Sequence, residues 1–474
     1  MKINRKNFLK IAGLAGAGMI VKTGQAGKNE PFQNSHSQKF NMHGYAAPKL
    51  EKVRIGFIGV GSRGGGHVTR FNRIEGVEVK AICDLVPERV KDAVDSVKSA
   101  VNKPDSYTGS ENAWKKLCER EDIDLIITAT PWALHVPIAL YAMEQGKHVG
   151  IEVPAAKTIE ECWQMVETSE RTRKHCMMLA NSAYGDFNIL TLNLAREGFF
   201  GEIVHGEGTY IHDRVSNTES RWVRDKNNNN WFGFRPWRLK ENIKRNGNIY
   251  PTHGLGTVCQ AMDLNYGDQM DYMVSISSND FTMADKMKEN AKMDDFYKPY
   301  VGLNFRGNMN TSIIRTHKGR TIMLQHDISS PRPDVRFNII SGTKGIAQKY
   351  PHPAVATSHD GWLPENEFNA VVEKYTPEIN KKVGAMSKEI GGHGGVDFMM
   401  AWRLIDCLRN GIPLDMDGYD AALWSSIAAL SEWSVAHDGN PVKVPDFTSG
   451  AWRTNKRNMD ITLQKGGNTK LAER

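Results

Sequence analysis

A chain of 474 residues exceeds one typical hydrophobic core, which predicts two domains with appendages. Its 40% hydrophobic and 24% charged residues fit a folded globular protein, and a net charge of +7 dispersed along the chain argues against nucleic-acid binding. The six cysteines are scattered without a C-x-x-C pair, which excludes a disulfide framework, and no run approaches the roughly 18 apolar residues of a membrane span.

The segment Asn4-Arg5-Lys6-Asn7-Phe8-Leu9-Lys10 precedes a weakly apolar run from Ile11 to Val21. It resembles a twin-arginine signal with Lys6 in place of the second arginine, and Gly24-Gln25-Ala26 offers a small-residue cleavage site. This predicts export to the periplasm; a disordered basic tail is the alternative. Residues 1–49 are read as signal and polar linker.

Val53 to Ile58 is a β-rich run entering Gly59-Val60-Gly61-Ser62-Arg63-Gly64, followed by a helical segment and a second strand, Val77 to Cys83, closing on Asp84. A G-x-G-x-x-G motif between strand and helix, with an acid about 20 residues on, is the dinucleotide-binding fingerprint. Gly59 permits the turn, Gly61 lets backbone approach a pyrophosphate, and Gly64 allows close helix–strand packing. Ser62 and Arg63 open the helix whose free N–H groups would face the phosphates. Asp84 would accept the adenosine ribose hydroxyls and repel a 2′-phosphate. Leu85 offers no compensating cation, so NAD is expected rather than NADP.

Two more apolar strands follow, Asp124 to Thr130 and His148 to Val153. Alternating strands and helices predict a doubly wound parallel sheet, with ligands at the strands' carboxyl ends. That places Thr130, Trp132, His135, Glu152 and Val153 toward the nicotinamide; for His135 a helix-start histidine bonding backbone is equally open.

The sequences V-R-I-G-F-I-G-V-G-S-R-G, A-T-P-W-A-L-H and G-I-E-V-P-A-A resemble the Gfo/Idh/MocA oxidoreductases. The resemblance implies an N-terminal Rossmann domain, set at 50–180, and an α+β domain with a large open, mostly antiparallel sheet at 181–474. Val153 stands where most members carry the lysine of Glu-Lys-Pro, which makes an ordinary sugar dehydrogenase less expected. That valine, with Gly206 to His212, Trp237-Arg238-Leu239, Gly247 to Gly254, Ile322 to Asp327, Ser330-Pro331-Arg332-Pro333 and Gly392 to Phe398, resembles glycoside hydrolase family 109.

The family resemblance implies a retaining glycosidase using NAD catalytically, with α-N-acetylgalactosaminidase activity: oxidation at sugar C3, loss of the acidified C2 proton, expulsion of the C1 group, water addition and re-reduction. The substrate would be a small or glycan-terminal sugar. Two positions depart from the family pattern: Ala180 replaces a glutamate before Asn181, and Asp334 replaces a tyrosine after Ser-Pro-Arg-Pro. Losing a carboxylate at one and gaining one at the other implies altered sugar recognition or a catalytic role moved to another position.

Within this pattern His253 is the first choice for general acid/base, because imidazole titrates near neutral pH. Tyr210 and Tyr250 join it as catalytic candidates, and Tyr250 also as a nicotinamide-packing residue. Tyr210 and His212 alternate along a strand and face the same side. His212, Arg238, Pro251, Thr252 and Asp334 complete the substrate set, and Asn181 is expected to fix cofactor or sugar. His393 is open between the site and a helix-entry turn. Asn227 to Asn230 reads as a surface loop, with Trp222, Trp231 and Trp237 as a sugar platform or core. His326 and Asp327 lack a third ligand at supporting spacing, so no metal is expected. A sugar or inositol dehydrogenase and a non-catalytic NAD- or sugar-binding protein remain as alternatives, and homo-oligomerisation stays open.

Overall fold

Short β-branched runs build the first sheet. Strands β1 (Val53–Ile58), β2 (Val77–Cys83), β3 (Asp105–Tyr107), β4 (Leu125–Thr128), β5 (His148–Ile151) and β6 (Cys176–Met178) lie in the order β3-β2-β1-β4-β5-β6, every pairing parallel. β4 and β5 are buried at every position, as expected of central parallel strands covered on both faces. Helices α1 (Ser62–Phe71), α2 (Pro87–Ser96), α3 (Ala113–Cys118), α4 (His135–Glu144) and α5 (Ile159–Thr172) connect them. The strand order reverses beside β1, so the ligand crevice of this topology opens between the ends of β1 and β4.

This computed structural model describes Phe32 and residues 36–97, 103–215, 236–243 and 245–473, and residues 36–474 form one unit. The export motif, the Asn227 to Asn230 loop, Trp222 and Trp231 lie outside the described residues. Among those described, no helix is long and apolar enough to cross a membrane. All six cysteines are buried and free.

After α6 (Asp186–Arg196) the chain forms a second sheet. Its strands are β7 (Ile203–Ile211), β8 (Met270–Ser277), β9 (Asn310–Thr316), β10 (Thr321–Asp327), β11 (Asn338–Gly342), β12 (Ile346–Gln348), β13 (Ala354–Ala356) and β14 (Val442–Lys443). They run in the order β13-β12-β11-β7-β10-β9-β8-β14, antiparallel except for β7 with β10. The fold is therefore a parallel Rossmann sheet followed by a mixed, mostly antiparallel one.

Helices α7 (Pro236–Glu241), α8 (Thr252–Ala261), α9 (Met283–Met293), α10 (Glu365–Tyr375), α11 (Glu378–Ile390), α12 (Val396–Asn410) and α13 (Gly418–Ala436) complete the set used below. Asp417 caps α13 by accepting from the backbone N–H groups of Tyr419 and Asp420. α13 is buried almost all round because it packs on α5 and β6 of the first half and on β8 of the second.

One close approach sets the site. A Cβ on Gly208 of β7 would come within 2.1 Å of the Gly254 carbonyl oxygen, and one on Gly254 would lie 2.9 Å from the Gly208 backbone. Two facing glycines let α8 descend onto the sheet, which carries His253 to the Tyr210 end of β7.

Candidate active site

The first wall of the cleft comes from the glycine turn and the carboxyl ends of the parallel strands. Gly59 has φ +81°, a left-handed conformation that favours glycine, and a Cβ on Gly64 would sit 1.8 Å from the Gly59 carbonyl oxygen. A Cβ on Gly61 would meet nothing closer than the Arg89 guanidinium at 3.7 Å. That open space faces the start of α1, which has no side-chain cap and no acid in its first turn. Such a cradle fits a dinucleotide pyrophosphate.

Asp84 accepts from the backbone N–H groups of Val60 (2.8 Å) and Val86 (3.0 Å), which fixes its carboxylate at the end of β2. The expectation of no nearby cation is corrected: Arg89, one turn into α2, lies 3.7 Å from Asp84.

A buried ionic cluster sits at the far end of this wall. The Glu152 carboxylate accepts from Arg63 (2.6 Å) and His67 (2.7 Å). Burial pushes its carboxyl up, but Arg63 and then His67 outweigh that and hold it well below the usual range. Arg63 also donates to Asp397 of α12 (2.7 Å), and Asn181 donates to the same carboxylate (2.6 Å). The Asn181 side-chain oxygen, Oδ1, is buried with no partner among the described residues. Val153 presents an apolar, buried side chain beside it.

The second wall is a stack of rings on β7, β10 and α8. Tyr210 lies between His253 (centroids 5.4 Å apart, 22° between planes) and His326 (5.9 Å, 15°), with Tyr250 edge-on at 4.8 Å. His326 is opposite Tyr210 in the β7–β10 register, a packing role that its sequence position did not suggest.

Val335 bridges to Ile211, so its neighbours Arg336 and Asp334 pair across the strand with Tyr210 and His212. The Arg336 guanidinium lies 5.6 Å from the Tyr210 ring centre, and Asp334 3.7 Å from His212. Asp334 is 43% exposed, at the rim, while Ala180 is fully buried.

Three guanidiniums decide the protonation of Tyr210. Burial pushes the phenol up, but Arg214, Arg238 and Arg336 outweigh it and bring it below its ordinary value; Arg214 also hydrogen-bonds to it. His253 moves the other way. Burial, then Arg336, holds its imidazole well below the ordinary value, so the ring is neutral, and its Nδ1 is buried with no partner among the described residues. His212 is pushed down to about 4 by burial and Arg214, with Asp334 opposing. Tyr250 is raised by burial, with Arg238 opposing.

The cleft between these walls encloses about 100 Å³ and brings together Arg63, Glu152, Val153, Asn181, Tyr210, Arg238, Tyr250 and His253 from the predicted set. Arg214, Arg336 and His393 also line it. Arg214 continues the period-two pattern of Tyr210 and His212, a signal present in the sequence, whereas Arg336 reaches the cleft through the Ile211–Val335 bridge.

Trp132 stacks on Tyr250 (5.5 Å, 20°) and Arg238 lies over both rings, so Trp132 supports the wall from behind. Trp237 packs edge-on against Trp132 at 5.3 Å, which makes it part of the same support. His135 is bound to backbone instead: its nitrogens lie 2.9 Å from the carbonyl oxygens of Pro154 and Thr130. Pro251 starts α8 by accepting from Gly254 and Leu255, and Thr252 is wholly buried, so neither forms part of the cleft wall.

Comparison with known proteins agrees with both halves. Residues 53–180 match the oxidoreductase family NAD-binding Rossmann fold, and residues 184–454 match the glycosyl hydrolase 109 C-terminal domain. A glycosyl hydrolase family 109 protein of Shewanella pealeana is 43% identical over 462 residues, covering 96% of this chain and 98% of the relative. A protein of Shewanella oneidensis named alpha-N-acetylgalactosaminidase is 44% identical over 459 residues, covering 95% of this chain and 97% of its own.

Among solved structures, levoglucosan dehydrogenase in complex with NADH aligns with a TM-score of 0.63 at 19% identity, over 83% of this chain and all of the other. Scyllo-inositol dehydrogenase from Lactobacillus casei with NAD(H) and scyllo-inositol aligns at 0.57 and 13%, over 83% of this chain and 99% of the other. At these identities the likeness is one of fold. The chain, a Rossmann NAD-binding domain joined to a sheet domain carrying a ring-lined cleft, belongs to glycosyl hydrolase family 109.

Proposed function

We propose that this protein is a retaining glycosidase that uses NAD as a catalytic cofactor, acting on α-N-acetylgalactosaminides or closely related sugars. One observation carries the reading. Two proton-transfer groups, Tyr210 and His253, stack 5.4 Å apart in a cleft whose opposite wall is the end of the dinucleotide sheet. When bound, NAD supplies a reversible two-electron acceptor at its nicotinamide. Gly59, Gly61, the start of α1 and Asp84 would hold the dinucleotide, with Glu152, Val153 and Asn181 at the nicotinamide end.

The chain's own groups then handle protons. His253, kept neutral by burial, accepts the proton of the C3 hydroxyl as that carbon is oxidised. The adjacent C2 proton becomes acidic because the electron pair it leaves spreads onto the C3 oxygen. Tyr210, whose anionic form is favoured by Arg214, Arg238 and Arg336, takes that proton. The same guanidiniums cover the negative charge developing on the sugar. Asp334 at the rim and buried Ala180 are the two departures from the family pattern, and in this reading they bear on which sugar is accepted. Export of the folded, loaded enzyme is part of this proposal, and the N-terminal motif supports it. Protein recovered from a periplasmic extract would begin near Ala26.

The test uses aryl glycosides spanning α and β linkages of N-acetylgalactosamine, galactose and N-acetylglucosamine, with protein as purified and no added NAD. Phenol release over many turnovers, with NADH absorbance never exceeding the enzyme concentration, supports the reading. NADH accumulating in step with substrate consumed would make the protein a sugar dehydrogenase instead.

A further inference from the structure

The proton transfers at C3 and C2 leave the departing alcohol without a proton donor, and among the described residues the cleft holds one imidazole that reaches solvent. His393 lines the cleft with its side chain 51% exposed, whereas His253, His326 and His67 are all buried. Its Nδ1 lies 2.8 Å from the Asp397 carboxylate, one helical turn on, and that carboxylate has no exposure to solvent. Asp397 cannot turn away, because Arg63 and Asn181 donate to it at 2.7 and 2.6 Å.

A buried carboxylate on one imidazole nitrogen fixes the ring's orientation and tautomer, leaving the other nitrogen to exchange protons in the cleft. Burial works to raise the Asp397 carboxyl, but His393 and Arg63 outweigh it and keep the group ionised.

The backbone gives a second, independent observation. His393 has φ +48° and sits in an unbroken run of left-handed residues, with Gly391 at +83°, Gly392 at +89°, Gly394 at +75° and Gly395 at +104°. A non-glycine residue there costs about 1–2 kcal/mol, and four flanking glycines would have made a fifth the relaxed choice. The loop holds an imidazole where a glycine would fit best. Strained conformations of this kind concentrate at functional sites.

We infer that His393, oriented by Asp397, is the general acid that protonates the glycosidic oxygen and, on the return, the base that deprotonates the attacking water. As the C1–O bond breaks, its electron pair leaves with the oxygen and the Nε2 proton passes to that oxygen, leaving neutral imidazole. When water bonds to C1, its proton returns to Nε2 and the ring is ready for the next cycle. The inference rests on the glycosidase reading.

A leaving-group series tests it. His393→Asn keeps a side chain tolerant of the left-handed conformation, and His393→Gly serves if the asparagine variant does not fold. Wild type and variant are compared on 2,4-dinitrophenyl, 4-nitrophenyl, 4-methylumbelliferyl and methyl α-N-acetylgalactosaminides. The variant is expected to widen the kcat/KM ratio between the dinitrophenyl and methyl glycosides by about 10²–10⁴-fold, because only the poor leaving group needs the proton. NAD released from the denatured variant should match wild type mole for mole. An equal loss across the series, or a variant purified without NAD, would overturn the inference and make His393 a binding or structural residue. A wild type that cleaves none of the glycosides would overturn the glycosidase reading and this inference with it. Cleavage by the wild type with an unchanged ratio in the variant would overturn this inference alone.

Discussion

The two walls of the cleft are built by different means. On the Rossmann side the working atoms are backbone N–H groups at a glycine turn and one ionic cluster, Glu152 with Arg63 and His67. On the second-sheet side they are rings stacked across β7, β10 and α8, with guanidiniums packed against them. The first arrangement suits a ligand of fixed geometry and charge. The second sets proton affinities, lowering the phenol of Tyr210 while holding His253 neutral. In the reading proposed above, cofactor capture and the proton transfers at C3 and C2 fall to separate elements, which makes them separable by mutation.

The sharpest break should come on the ring wall. Tyr210→Phe and His253→Ala are each expected to cut kcat by about 10²–10⁴-fold while NAD content stays at wild-type level. Loss of bound NAD in either variant would show that the walls do not divide the work as described. Sugar binding with no turnover in the wild type would instead identify a non-catalytic binding protein.

Next is the ionic cluster. Glu152→Gln takes from Arg63 one of its two carboxylate partners and from His67 its charged acceptor, and should destabilise the fold by about 1–3 kcal/mol, seen as a lower midpoint in denaturant, together with weaker NAD retention. An unchanged midpoint would mean that Asp397 alone suffices for Arg63.

A smaller effect is expected at Asp84. Asp84→Ala removes the carboxylate that would face the ribose but leaves Arg89 close by, so the preference for NAD over NADP should fall by about tenfold, or ~1.4 kcal/mol, in competition binding. A preference that survives the change would move discrimination elsewhere in the loop.

The smallest effect tests a region remote from both walls. His43 bonds to Asp417 at 2.7 Å; burial works against its charged form, but Asp417 prevails and the imidazole is pushed up to about 9. Raised above its unfolded value of about 6.5, it stabilises the fold fully below that pH and loses the contribution as pH rises through about 9. The melting temperature should therefore fall by ~1–3 °C between pH 6.5 and 9.5, and His43→Gln should flatten that slope. A flat wild-type profile would remove the His43–Asp417 pair from the account.

The Rossmann wall was legible in the sequence because its constraints are local. Gly59, Gly61 and Gly64 sit within one turn of chain, and Asp84 ends the next strand. The ring wall was legible only in part. Strand alternation put Tyr210 and His212 on one side, but Arg336 joins them through the Ile211–Val335 bridge, a pairing that strand periodicity alone does not disclose. His326 arrives through the parallel register with β10. Asp397 lies 334 positions from Arg63, and that contact depends on how α12 packs against α1. His135 shows the converse, since its position after β4 left a cofactor role and a backbone-bonding role equally open, and two backbone carbonyls hold it.

The central claim is that this cleft breaks a glycosidic bond through an acidified C2 proton, with no net change in NAD. Hydrolysis of an aryl α-N-acetylgalactosaminide in D₂O, followed by mass and NMR analysis of the released sugar, tests it most directly. The account predicts deuterium at C2 of the product, accumulating with phenol release, and no label at C2 in the Tyr210→Phe variant's residual product. Complete hydrolysis by the wild type with hydrogen retained at C2 would contradict it.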